Sequence, residues 1–123
     1  MIKYRKRWDL DTYALARTIV DALEEKKGED IVLLDIREIA IFADYFVICS
    51  GTSDRMLHAL ADGAEERVLE QFKVRARVEG SPNDGWLLVD FGDVILHLFS
   101  PERRDYYSLE DLWAKAKILL HLQ

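Results

Sequence analysis

The dipeptide Gly92-Asp93 stands between two strand-like runs, Trp86 to Phe91 and Val94 to Phe99, and it restricts the fold more tightly than anything else in the chain. Glycine first in a two-residue loop suits a type II′ hairpin turn, whose positive φ it takes without steric strain. The turn then sets the register: Phe91 opposite Val94, Val89 opposite Leu96, and Leu87 opposite Leu98. One face of the hairpin is therefore wholly apolar and belongs in a core. The other carries Trp86, Leu88, Asp90, Ile95, His97 and Phe99. That mixture is too polar for deep core and too apolar for bare water, a composition that suits a contact surface.

The elements around the hairpin follow from periodicity. Leu15, Ile19 and Leu23, widened by Ala16, Val20 and Ala22, predict a helix from Asp11 to Lys27. Asp9 or Asp11 is placed to cap it, and Gly28 to end it in a left-handed conformation. Ile31 to Ile36 and Tyr45 to Ser50 read as strands covered on both faces. Thr52 or Ser53 caps a second helix towards Phe72, with the stripe Leu57, Leu60, Ala61, Ala64 and Val68. Val74 to Val78 alternates with Arg75 and Arg77 as an edge strand does, and 81–85 is a turn cluster. After the hairpin, Ser100-Pro101-Glu102 opens a short helical turn. Ser108 to Asp111 then caps a predicted final helix carrying Leu112, Trp113, Ala116, Leu119 and Leu120. The order α-β-β-α-β-β-β-α predicts an α/β (α+β) domain with a mixed five-stranded sheet flanked by helices. Residues 1–10 form a basic segment expected to be flexible, and 11–123 a single domain, since 123 residues leave no room for a second core.

Charge narrows the class of partner. Between Glu79 and Asp111 there are eight acids and two bases, which accounts for the whole net charge of −6. An acidic surface repels nucleic-acid backbones and favours a basic partner. The start, with Lys3, Arg5, Lys6 and Arg7 interleaved with Tyr4 and Trp8, has the opposite character and could touch RNA by charge and stacking. No window is apolar over the length a bilayer requires, so no membrane partner is expected. Cys49 is the only cysteine, which excludes an intrachain disulfide and suits the reducing cytoplasm.

Catalytic motifs are weak by comparison. Gly51-Thr52-Ser53 ends a strand and opens a helix, a geometry that can hold a phosphate on free backbone N–H groups. Nucleotidyltransferases pair such a turn with metal-binding acids, but here the nearest pair is Asp90 and Asp93, and Asp93 is committed to the hairpin turn. A helix cap without ligand is the simpler reading. His58, His97 and His121 have no metal-ligand spacing, and Cys49 sits in an apolar strand. We expect no catalytic residue, metal or cofactor.

Two longer segments carry a resemblance. Asp44-Tyr45-Phe46-Val47-Ile48-Cys49-Ser50-Gly51-Thr52-Ser53 and the run from Gly85 through His97 resemble the signatures of the ribosomal silencing factor (RsfS, or Iojap) family. The likeness continues through Pro101-Glu102-Arg103, Asp105-Tyr106-Tyr107 and Leu109 to Trp113. It implies a nucleotidyltransferase-like topology without that chemistry, often dimeric when free of the ribosome. It also implies binding to large-subunit ribosomal protein fourteen, which sterically blocks subunit joining and represses translation when nutrients are short. Carried onto this chain, the contacts are Trp86, Leu88 and Asp90, with Tyr106 and Tyr107 beside them. Two alternatives stay open: a large-subunit assembly factor using the same interface, and a nucleotidyltransferase-related enzyme acting through Gly51-Thr52-Ser53. The basic start and the extension from Ala114 to Gln123 depart from shorter family members, and either could add a ribosomal RNA contact or a dimer surface.

Overall fold

The computed structural model describes residues 11–107 and 115–123, with the side chains of 105–107 left aside. Helix α1 spans Thr12–Glu25 and is capped by Asp11, whose carboxylate accepts the Ala14 N–H at 2.9 Å. Its stripe of Leu15, Ile19, Val20 and Leu23 is fully buried. The helix closes through a 2.8 Å bond from Gly28 N–H to the Leu23 carbonyl, but the left-handed residue is Lys27, with φ 66°, and not Gly28. Glycine is needed at 28 for a different reason. A Cβ there would lie 2.5 Å from Cys49 Sγ, so strand and helix meet too closely for any side chain.

Strands β1 (Glu29–Asp35) and β2 (Tyr45–Ser50) pair antiparallel, and Ser53 caps α2 (Asp54–Phe72) by accepting the Met56 N–H at 3.0 Å. Then follow β3 (Arg77–Ser81), β4 (Trp86–Asp90), β5 (Val94–Phe99), α3 (Pro101–Tyr107) and β6 (Lys117–Leu122). The β4–β5 register is the predicted one, with Leu87 opposite Leu98 and Val89 opposite Leu96. Gly92 has φ 96° while Asp93 stays at negative φ, the pattern of a II′ turn. The edge strand starts three residues later than periodicity suggested. Val74 and Ala76 pack against the core as the chain leaves α2, and ladder pairing begins only where Arg77 meets Asp90.

The C-terminal expectation needs a larger correction. Leu119 and Leu120 lie in β6, which pairs antiparallel with the outer edge of β1, and not in a helix. A short apolar run such as Lys117–Leu122 fits either period, and the choice is tertiary. As a strand it satisfies the free backbone groups of β1 and turns Leu120 and Leu122 onto the core. Residues 108–114, where the predicted helix starts, lie outside the described residues. The sheet accordingly has six strands in the order β3-β4-β5-β2-β1-β6, with β5 and β2 parallel and every other neighbour pair antiparallel.

The sheet has two unlike faces. Helices α1 and α2 cover the first, over a core that includes Leu33, Val47, Leu57, Leu60, Leu87, Val89, Leu96 and Leu98. The second holds a smaller cluster of Val32, Leu34, Ile36, Ala43, Ile48 and Phe99. Helix α3 is tied to this side by Arg104, whose buried guanidinium donates to Ser50 Oγ at 2.8 Å and to the Asp30 carbonyl at 2.7 Å.

Candidate functional site

The second face of the hairpin is where sequence and structure converge. Three rows cross it. Trp86 lies between Ser81 and Phe99, Leu88 between Glu79 and His97, and Asp90 between Arg77 and Ile95. Alternation puts these side chains opposite the buried Leu87 and Val89, and all three are half-buried. They are not equivalent. The Trp86 ring packs against the smaller cluster and lies so close over Gly80 that a Cβ there would come within 2.5 Å of it. Leu88 is half-buried and, among the described residues, belongs to neither core cluster. Asp90 Oδ1 accepts the Gly92 N–H at 2.7 Å, so one oxygen braces the turn while the charge stays at the surface.

His97 lies beside Leu88 on the same face. Its ring meets Phe46 edge-on at 4.6 Å and stacks with Phe99 at 6.2 Å between centroids. The residue as a whole is half-buried, yet its Nε2 is sealed from solvent without a hydrogen-bond partner among the described residues. Burial pushes its pKa down to about 4, which keeps the imidazole neutral near pH 7. It is a packing residue under the surface and makes a poor general base. Tyr106 and Tyr107 close α3, which borders the same side of the sheet, but their side chains lie outside the described residues.

The family model described as "Ribosomal silencing factor during starvation" matches residues 9–122. This chain belongs to the ribosomal silencing factor family. It is 40% identical over 97 residues to the Bacillus subtilis ribosomal silencing factor RsfS, covering 79% of this chain and 82% of that one. It is 38% identical over 99 residues to the mouse protein named mitochondrial assembly of ribosomal large subunit protein 1, covering 77% of this chain and 43% of the longer mouse protein. A crystal structure of a Chromobacterium violaceum protein superposes with a TM-score of 0.79 at 32% identity, over 90% of this chain and 94% of that one.

Set in the RsfS fold, the Gly51-Thr52-Ser53 turn and the Asp90–Asp93 pair do not come together. Thr52 and Ser53 follow the C-terminal end of β2 and line a cleft of about 370 Å³ with Asp54, Asp84, Glu102 and Arg103. Ser53 is occupied with capping α2. Asp90 and Asp93 lie at the other end of the parallel pair β2–β5, about six residues or roughly 20 Å along the strands. Among the described residues no group of three His, Cys, Asp or Glu is arranged to hold a metal. The histidines are equally dispersed: His58 is exposed on α2, and His121 on β6 pairs with Asp30. Burial pushes the Cys49 thiol up to about 12, leaving it inert. No helix among the described residues is long and apolar enough to cross a membrane. The basic stretch 1–10, read as an RNA contact, lies outside the described residues.

Two features of this region were not legible beforehand. Arg104 counted only as a charge in sequence, yet it is the buried tie between α3 and the sheet. The β1–β2 connection holds Ile39, Ile41 and Phe42 in exposed positions. The run Ile39-Ala40-Ile41-Phe42-Ala43 was the available signal, since a loop so apolar is unusual.

Proposed function

We propose that this chain is a ribosomal silencing factor that docks on large-subunit ribosomal protein fourteen through the second face of its hairpin. Occupation of that site would sterically prevent the small subunit from joining and so repress translation. The observation that carries the reading is the row of Leu88, Asp90 and Trp86, half-buried on a sheet face and set in the acidic third of the chain. Ribosomal proteins are basic as a class, so such a face offers charge for approach and apolar area for adhesion. Family membership supports the same reading. The mechanism needs no chemistry, only a bound protein where the other subunit must sit.

The test is co-sedimentation with purified large subunits, followed by addition of small subunits and measurement of joining. Wild type should travel with large subunits and reduce joining. Leu88→Arg should weaken binding by about tenfold or more, by removing the apolar contact and setting a positive charge against a basic partner, with folding unchanged because the side chain is half-exposed. Normal binding by this variant would move the interface elsewhere. The name of the mouse relative favours a second reading, large-subunit assembly through the same surface. It predicts association with immature large subunits in cells and no effect on joining of mature ones.

A further inference from the structure

Arg104 is the one buried basic side chain among the described residues, at 7% exposure. Burying a guanidinium costs hydration that its ion pairs seldom repay as stability, so its use is better sought in where it holds the chain. Its Nη1 donates to the Asp30 carbonyl at 2.7 Å and to Ser50 Oγ at 2.8 Å, and its Nη2 lies 3.4 Å from Asp30 Oδ2. One planar group thus reaches the facing ends of β1 and β2, where Glu29 stands opposite Ser50. Asp30 is tied down in turn. It takes the left-handed region at φ 51°, where the β1–β2 register slips between Glu29 and Val32, and its carboxylate also pairs with His121 of β6.

Arg103, the preceding residue, makes a second tie. Its Nε donates to the Asp84 carbonyl at 2.8 Å and its N–H to Ser100 Oγ at 3.3 Å, while Ser100 N–H donates to the Gly85 carbonyl at 2.9 Å. Gly85 has φ 74°, and a Cβ there would lie 2.5 Å from Ser100 Oγ and 3.0 Å from Arg103 Cγ. The start of α3 therefore sits directly on the turn that launches β4, and Trp86 is the next residue along. A seven-residue helix has too few internal bonds to hold itself in place, so contacts such as these decide where α3 lies.

We infer that Arg104 is a positioning residue for the docking row. It anchors α3 to the ends of β1 and β2, and α3, through Ser100 and Arg103, fixes the Asp84–Gly85 turn from which Trp86 enters the hairpin face. Trp86 stands opposite Phe99, the residue before Ser100, so the same anchor governs both members of that row. Without it the hairpin keeps its register, which the Gly92 turn sets, but the Trp86 end is no longer held in one place. A surface whose end must be ordered on docking binds more weakly, because the ordering opposes association. The inference rests on the proposed docking of this face and adds to it the residue that holds one end ready.

The test compares Arg104→Ala with Val20→Ala, a truncation in the core under α1 on the other side of the sheet, each in the full chain. Circular dichroism and melting temperature establish folding, and hydrogen exchange reports on 84–88 and 100–104. Co-sedimentation with purified large subunits, well below both melting temperatures, reports binding. Arg104→Ala should exchange faster at 84–88 and 100–104, with α1 protected as in wild type, and bind about tenfold more weakly. Val20→Ala should lose stability and loosen α1, yet bind as wild type does. If Arg104→Ala leaves exchange at 84–88 unchanged, or binds no worse than Val20→Ala, Arg104 serves stability alone and the inference is overturned. Should Arg104→Ala fail to fold, Ser50→Ala takes its place, since it removes one acceptor and keeps the charge pair. The same exchange pattern with about threefold weaker binding is then expected, and unchanged exchange at 84–88 overturns the inference. Wild type that binds no large subunit sinks the proposed function, while the exchange pattern still decides whether Arg104 sets the Trp86 end.

Discussion

Acidification should destabilise this protein through one residue, His97. A free histidine titrates near pH 6.5, and burial in this fold lowers the value to about 4. The cause is the loss of water around the ring, which sits between Phe46 and Phe99 with Nε2 sealed and, among the described residues, unpartnered. Between those two pH values the unfolded chain binds a proton that the folded chain refuses. Stability from this group is therefore complete above about pH 6.5 and drains away as pH falls towards 4. A difference of about 2.5 pH units at 1.36 kcal/mol each corresponds to about 3 kcal/mol, a large share of the stability of a domain this size. The measurement is urea unfolding of wild type and His97→Leu from pH 7.5 to 4. Leucine keeps an apolar group of similar size and cannot titrate. The wild-type midpoint should fall by roughly 1 to 3 M more than that of the variant across the window. Asp35, held below the usual carboxylate range by its bonds to Arg37, loses its contribution below pH 4, and burial raises Glu65. Both occur in either protein and cancel in the difference. Parallel loss of stability by the two proteins would refute the assignment of an unsolvated imidazole at this position.

Two further outcomes test the packing and the electrostatics. Gly28→Ala should cost about 1 to 3 kcal/mol, read from the thermal or urea midpoint, because its Cβ would collide with Cys49 Sγ. Adding Cys49→Ala should recover part of that loss, and strictly additive costs would show that the contact is not the cause. Association with large subunits should slow as salt rises past physiological strength, where exposed charges are screened beyond roughly 8 Å; an on-rate unchanged by salt would reduce the acidic excess to a solubility feature.

How much of this was legible in the sequence depended on how local the determinant was. Gly92-Asp93 states its own conformation, and once the turn is set the pairing of Leu87 with Leu98 has no freedom left. Ser53 as a cap is local in the same sense, a side chain bonded to an N–H three residues on. Lys27 was less readable. Glycine is the usual left-handed residue past a helix end, but here Lys27 takes that conformation, and Gly28 is required instead by its contact with Cys49, far off in sequence. The segment Lys117–Leu122 was not readable at all, because its state is decided by whether β1 has an unpaired edge to offer. Tertiary demand decides such short apolar runs, and no window of the chain contains that demand.

The site follows the same rule, with one difference that bears on function. Alternation along β4 placed Trp86, Leu88 and Asp90 on one face from sequence alone, yet could not divide them by role. The fold does: Trp86 is half committed to the smaller cluster and to Gly80, Asp90 braces the Gly92 turn with one oxygen, and Leu88 has no such tie among the described residues. A tryptophan with structural duties cannot be truncated without confusing stability and binding. Leu88 can, so it is the residue whose replacement reads the proposed contact by itself.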